Sequence, residues 1–230
     1  MNTTLLHPNS LSATLDAVND AFLANISITI PEKLEIGRWI SSRQGLLGSY
    51  AGMPAPTNLD VTSPIKRYTG EPLNSGASLS HVLGQEACRV LLKLKLDDIK
   101  VNVALRHATE GMLAAITREN DKHPDRAGTY CCGGCTPAYW RHLAAGGLKN
   151  AGREIEAGMM VLKSHRSGDG RWTRFPSAWT ISALVEIGDP ALEELKYAAK
   201  VLESFEKVKA PKGIYQLRRQ AIARRGLELI

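Results

Sequence analysis

The sequence predicts an all-α protein built from antiparallel helical hairpins, and three observations lead there. Apolar residues recur at i, i+3 and i+4 in segment after segment. Helix starts and stops are marked by Thr136-Pro137 and Asp189-Pro190 on one side and by Gly146-Gly147 and Gly188 on the other. No run alternates between apolar and polar residues as a half-buried strand does. At 230 residues and 43% apolar content the chain can bury a core without disulfides, and it is expected to form one domain over residues 1–230.

In chain order, residues 11–26 carry a first helical pattern that breaks before Pro31. Pro31 suits the first turn of a second helix, whose Ile36, Trp39, Ile40 and Arg43 share a face. Residues 45–77 lose periodicity and are dense in Gly, Pro, Ser and Thr, which predicts a long irregular loop. Leu79, Val82, Leu83, Val90, Leu91 and Leu94 form the next stripe. A second follows a cap at Asp97 or Asp98 and stops before His123-Pro124. Thr136 is expected to cap a helix carrying Tyr139, Trp140, His142 and Leu143. Asn150 and Ser177 are expected to cap the next two, Asp189-Pro190 opens another, and Gly213 precedes the last. The count is about nine helices, neighbours being antiparallel because most connections are short.

The first ten residues lack the basic start, apolar stretch and cleavage pattern of a signal peptide, and no apolar run reaches the roughly 20 residues that span a bilayer, so a soluble, cytoplasmic protein is expected. In that compartment four cysteines read as free thiols, metal ligands or catalysts before disulfides. The net charge is +6, and Arg218, Arg219, Arg224 and Arg225 cluster near the C-terminus. No aromatic interleaves them, which argues for a solvated helix face rather than a nucleic-acid contact.

Residues 128–180 concentrate chemistry: three of the four cysteines, three of the four tryptophans and two of the six histidines. Within Cys131-Cys132-Gly133-Gly134-Cys135, Cys132 and Cys135 have C-x-x-C spacing across two glycines. No second such pair follows, so further zinc ligands have to come from elsewhere. His81 and Cys88, at i and i+7 on one helix face, would complete a Cys₃His set with Cys132 and Cys135. Alternatively Cys135, just before a helix start, is a nucleophile with a lowered pKa that alkylates faster than Cys88. No βαβ pattern surrounds the pair, which argues against a thioredoxin-like protein. Beyond these stands close packing of a loop by small residues. The turn after residue 167 supplies Asp169, Arg171, Trp172 and Arg174. Arg171 or Arg174 can hold an anionic group, with Trp140, Trp172 and Trp179 as apolar walls, and Asp169 is a candidate catalytic carboxylate. The hairpin from Pro137 to this turn should bring Cys132 and Cys135 near Asp169–Trp172.

Two turns look alike: Arg43-Gln44-Gly45-Leu46-Leu47-Gly48-Ser49-Tyr50 and Arg166-Ser167-Gly168-Asp169-Gly170-Arg171-Trp172. They resemble the Q-x-x-D-G-S-W repeat of the squalene-cyclase and protein-prenyltransferase superfamily. Cys135-Thr136-Pro137-Ala138-Tyr139-Trp140 resembles the C-Y-x-x-W region of the prenyltransferase β subunit. The resemblance implies a partial α/α toroid with a central apolar cavity. The chain lacks the D-x-D-D motif of the cyclases and an aspartate two residues before Cys135, so it does not carry over the chemistry. Three functions stay open: a protein, enzymatic or not, that binds a small apolar or anionic ligand near CCGGC and DGRW; a helical scaffold or interaction module; and a protein with a structural zinc.

Overall fold

A computed structural model describes residues 4–123 and 126–230. Among them it shows eleven α-helices and no named strand: α1 Leu11–Leu23, α2 Ile30–Ser41, α3 Asn58–Thr62, α4 Gly76–Leu94, α5 Ile99–Lys122, α6 Thr136–Ala144, α7 Ala151–Ser164, α8 Ser177–Ile187, α9 Leu192–Tyr197, α10 Ala199–Glu206 and α11 Ile214–Leu229. The all-α class is as expected. The two helices beyond the periodicity count are α3, inside the irregular stretch, and α9, where the segment after Pro190 divides at Ala198 (φ −84°, ψ 6°). No described helix is long and apolar enough to cross a membrane.

Local chemistry explains the boundaries. Asn25 takes the left-handed conformation (φ 54°) just past α1, which therefore ends earlier than its apolar pattern suggested. Thr29 and Glu32 form a reciprocal capping box at the head of α2. Asp98 caps α5 by accepting from the Lys100 and Val101 amides at 3.0 and 3.2 Å. That helix ends at Lys122 with His123 as its cap, while Pro124 lies outside the described residues. Three expected caps are corrected. Asn150 has φ −102° and ψ 25°, away from the extended conformation a capping side chain needs. Ser177 is the first residue of α8, and the Trp179 amide instead finds the Glu71 carboxylate at 3.1 Å. Thr136 lies inside α6, its hydroxyl committed to the preceding loop.

The helices return on one another as α4–α5, α6–α7 and α10–α11 hairpins, with α4, α6 and α8 packed side by side. Two apolar clusters result. One joins α1, α2 and α4 through Leu11, Leu15, Ile36, Ile40 and Leu91. The other gathers Trp140, Leu162, Trp179, Leu184 and Leu202 from α6, α7, α8 and α10. Near the join between them lies a knot of charge. Arg141 reaches Glu86 at 2.8 Å and Glu186 at 3.0 Å, while Arg89 pairs with Glu186 and with Asn19 Oδ1 at 2.6 Å.

The 45–77 stretch is irregular but firmly attached. Arg43 donates to the Ala55 and Pro56 carbonyls at 2.6 and 2.7 Å. Asp60, 1% exposed, accepts from Ser10 Oγ (2.7 Å), the Leu11 amide (2.9 Å) and the Thr57 amide (2.8 Å), so α3 caps the start of α1. Of the C-terminal arginines, Arg224 is exposed, but the other three are not a solvated face. Arg218 is buried against Asp16 and Asp20, both at 2.7 Å; Arg219 donates to the Thr69 carbonyl and Arg225 to that of Leu23.

Replacing Asp60 by Ala leaves several buried donors unpaired and is expected to cost about 3 kcal/mol. Asp60→Asn, which keeps an acceptor oxygen, should lose less. Urea unfolding of both variants measures the difference, and an alanine variant as stable as wild type rejects this role.

Candidate metal centre

The centre forms where the loop before α6 folds back onto α4. Thr136 Oγ1, fully buried, accepts from the Tyr130 amide at 3.0 Å and lies 2.9 Å from the Cys132 carbonyl, closing the loop on itself. The Cys135 and Thr136 amides both donate to the Cys132 carbonyl at 3.0 Å, so Cys132-Gly133-Gly134-Cys135 is one tight turn running into the helix. Gly133 is obligatory there: a Cβ would sit 2.4 Å from the Arg174 carbonyl oxygen. Arg67 holds the turn from the other side, its Nε donating to the Gly134 carbonyl at 3.2 Å. Cys131 is forced into the left-handed region at φ 57°, which costs a β-carbon residue about 1–2 kcal/mol.

This turn gathers three sulfurs. Cys132 Sγ lies 3.7 Å from Cys135 Sγ. Cys131 Sγ, Cys135 Sγ and a ring nitrogen of His81 all lie within 4.8 Å of one another. Cys131 and Cys132 are exposed, whereas Cys135 is 1% exposed beneath them. His81, on the first turns of α4, is 7% exposed, and its Nδ1 is buried with no hydrogen-bond partner among the described residues. Tyr50 and Tyr130 cage the ring, with centroids 4.1 and 5.3 Å away. Burial lowers the His81 pKa, which favours the neutral imidazole that metals bind.

The thiols divide by environment. Hydrogen bonds from Cys131 and Cys135 hold the Cys132 thiol well below the ordinary range, helped by the backbone amides of Cys135 and Gly134. Hydrogen bonds to Cys131 and Cys132, with burial, push Cys135 far up. Burial alone pushes Cys88 up to about 12.

The sequence-predicted residues therefore separate. His81 and Cys135 come together with Cys131, and Cys132 stands beside Cys135. Cys88 does not, because seven residues along α4 carry it roughly 10 Å down the axis into the core. The more available thiol is Cys132, not Cys135. Trp140 is fully buried, donating to the Gly128 carbonyl at 2.7 Å and stacking on Phe175 at 5.8 Å. Trp172 donates to Glu194 at 2.8 Å and Trp179 is fully buried, so all three tryptophans are core residues. Asp169 and Arg171 are exposed and paired with each other at 3.0 Å. The turn's tip leans on α9, the Gly168 amide donating to Tyr197 Oη at 2.8 Å, and it is the turn's base, Arg174 and Phe175, that meets Gly133. A groove of about 530 Å³ opens there, lined by Arg126, Cys131, Cys132, His165, Arg174 and Phe175. Neither Arg126 nor Arg174 has a carboxylate partner among the described residues. Arg67 and Cys131 were unmarked in the sequence: Arg67 lies far from the cysteines along the chain, and only the turn's geometry separates Cys131 from its neighbour.

No protein family, curated protein or solved structure matches this chain.

In metal-free, reduced protein at pH 7, iodoacetamide should label Cys132 first, Cys135 slowly and Cys88 only after unfolding. Peptide mass spectrometry over time reads the order, and labelling of Cys135 ahead of Cys132 contradicts it.

Proposed function

We propose that this chain is a metal-binding helical protein that holds one zinc ion at Cys131, Cys132, Cys135 and His81 and takes a small anionic ligand in the groove above it. The observation that carries the reading is the convergence on His81, a buried imidazole with a nitrogen that has no partner among the described residues, beside the sulfurs of Cys131 and Cys135, with Cys132 next to Cys135. A buried polar atom left without a partner costs about 1–3 kcal/mol, and a metal ion supplies that partner. The sulfur spacing fits as well. Tetrahedral zinc with bonds of about 2.3 Å places its sulfurs about 3.8 Å apart, and Cys132 and Cys135 stand at 3.7 Å. Only a single ion fits among groups this close. Bound zinc would offset the strain at Cys131 and clamp the loop to α4, contributing to folding itself.

Arg126 and Arg174 supply the charge for an anion. Guanidiniums on a concave wall, with no carboxylate partner among the described residues, suit carboxylate or phosphate better than an apolar molecule. The tryptophans expected as apolar walls lie in the core, which favours the anionic half of that expectation.

Purified protein is expected to retain close to one zinc per chain. The cobalt-substituted form should show thiolate-to-metal charge-transfer absorption. Both signals should disappear in Cys135→Ser and His81→Ala and persist in Cys88→Ser. A protein that retains no metal, or a Cys88→Ser variant that loses it as completely as His81→Ala, rejects the assignment.

A further inference from the structure

We infer that, with the metal absent, the same turn is a dithiol that reduces small anionic disulfides, Cys132 being the attacking sulfur and Cys135 the resolving one. This goes beyond the metal reading and stands or falls separately from it. The surrounding fold is not thioredoxin-like, so the inference rests on the turn alone.

Three features of the turn carry it. The first is reach. The Cys135 amide donates to the Cys132 carbonyl at 3.0 Å, which makes the four residues a closed turn. The ends of such a turn lie within about 7 Å at Cα, the span a disulfide bridges. With the sulfurs at 3.7 Å, bond formation needs only side-chain rotation. The second is asymmetry. Cys132 is exposed on the groove wall, whereas Cys135 is buried behind it, so an incoming disulfide meets Cys132, whose sulfur stands 3.7 Å from that of Cys135. Cys131 also faces the groove, but it is the chain neighbour of Cys132 and held in a left-handed conformation, a poor geometry for resolving an adduct. The third is charge. Arg126 and Arg174 line the same groove and favour a disulfide bearing carboxylates.

The chemistry balances without a further reagent. The Cys132 thiolate attacks one sulfur of RS–SR. A Cys132–SR bond forms, the substrate S–S bond breaks, and RS⁻ departs. The Cys135 thiol gives its proton to that thiolate, and its sulfur attacks Cys132 Sγ. The Cys132–Cys135 disulfide forms and the second RS⁻ leaves, taking a proton from water. Two protein thiols are oxidised by two electrons, and one substrate disulfide is reduced to two thiols.

Glutathione disulfide, which carries carboxylates, is the probe, applied to the full chain after reduction and chelation. Expected are release of two glutathione molecules per chain and a Cys132–Cys135 cross-link in the peptide map. Cys135→Ser should trap one glutathione on Cys132, and Cys132→Ser should accept none at comparable far-UV circular dichroism. Arg126→Ala/Arg174→Ala should slow the reaction roughly fivefold with glutathione disulfide and leave the cationic disulfide cystamine reacting as fast or faster. A glutathione adduct that rests on Cys131, or a Cys131–Cys132 cross-link, overturns the assignment of the sulfurs. Equal slowing with both probes overturns the anionic preference. Zinc content is measured on the same preparations. A chain that never binds zinc yet forms the cross-link removes only the metal reading. A zinc-binding chain that ignores glutathione disulfide once stripped removes only this inference.

Discussion

The placement of the thiols depends on a knot of buried charge between α4, α6 and α8. Arg89 and Arg141 are each about 2% exposed at the side chain and share Glu86 and Glu186, with Asn19 of α1 filling a remaining position. Burial pushes the Glu186 carboxyl up, but Arg141 and Arg89 outweigh it and hold it well below the carboxylate range. Such clusters contribute less to stability than their geometry suggests, because desolvation offsets the attraction; what they do supply here is register. A one-turn slip of α6 along α4 would strand the Arg141 cation in the interior. With Arg141 fixed, His142 meets Gln85 at 2.7 Å, and the N-terminal ends of both helices are aligned. One turn before Gln85 stands His81, and two turns before His142 stands Cys135. The centre is thus assembled some distance from the contacts that position it.

Much of this was legible in the sequence, and the failures are instructive. Helical periodicity predicted the all-α class, and chemistry at Pro31, Asp98 and Gly188 showed in residue type alone. The cap expected at Thr136 failed because a hydroxyl has one proton and few lone pairs, and this one closes the loop onto Tyr130. Cys88 looked equivalent to His81 because i and i+7 share a face, yet a shared face says nothing of distance along the axis. The tryptophans read as pocket walls are large apolar groups in a chain with few aromatics, and the core claimed them. Arg218 shows the converse error: four arginines on a terminal segment suggest solvent, but two aspartates of α1, some 200 residues away, pair with one of them.

The irregular stretch between α2 and α4 joins these parts. Arg67 grips the Gly134 carbonyl of the thiol turn, and Glu71, four residues on, accepts the Trp179 amide at the head of α8. Asp60 in the same stretch caps α1. A segment without periodicity thereby touches the starts of α1, α6 and α8, and its own backbone is held by Arg43 at the end of α2. Its length is explained by the number of helix ends it has to reach.

The clasp between Arg218 and the aspartates of α1 also sets an order of events during synthesis. Asp16, Asp20 and the Tyr68 carbonyl all wait for a guanidinium encoded near the far end of the chain. Without α11, the two carboxylates of α1 lack their guanidinium, and Asp20 keeps the Tyr68 hydroxyl at 2.8 Å. Closure is therefore a late, non-local event whose rate reflects the chain length between its two ends.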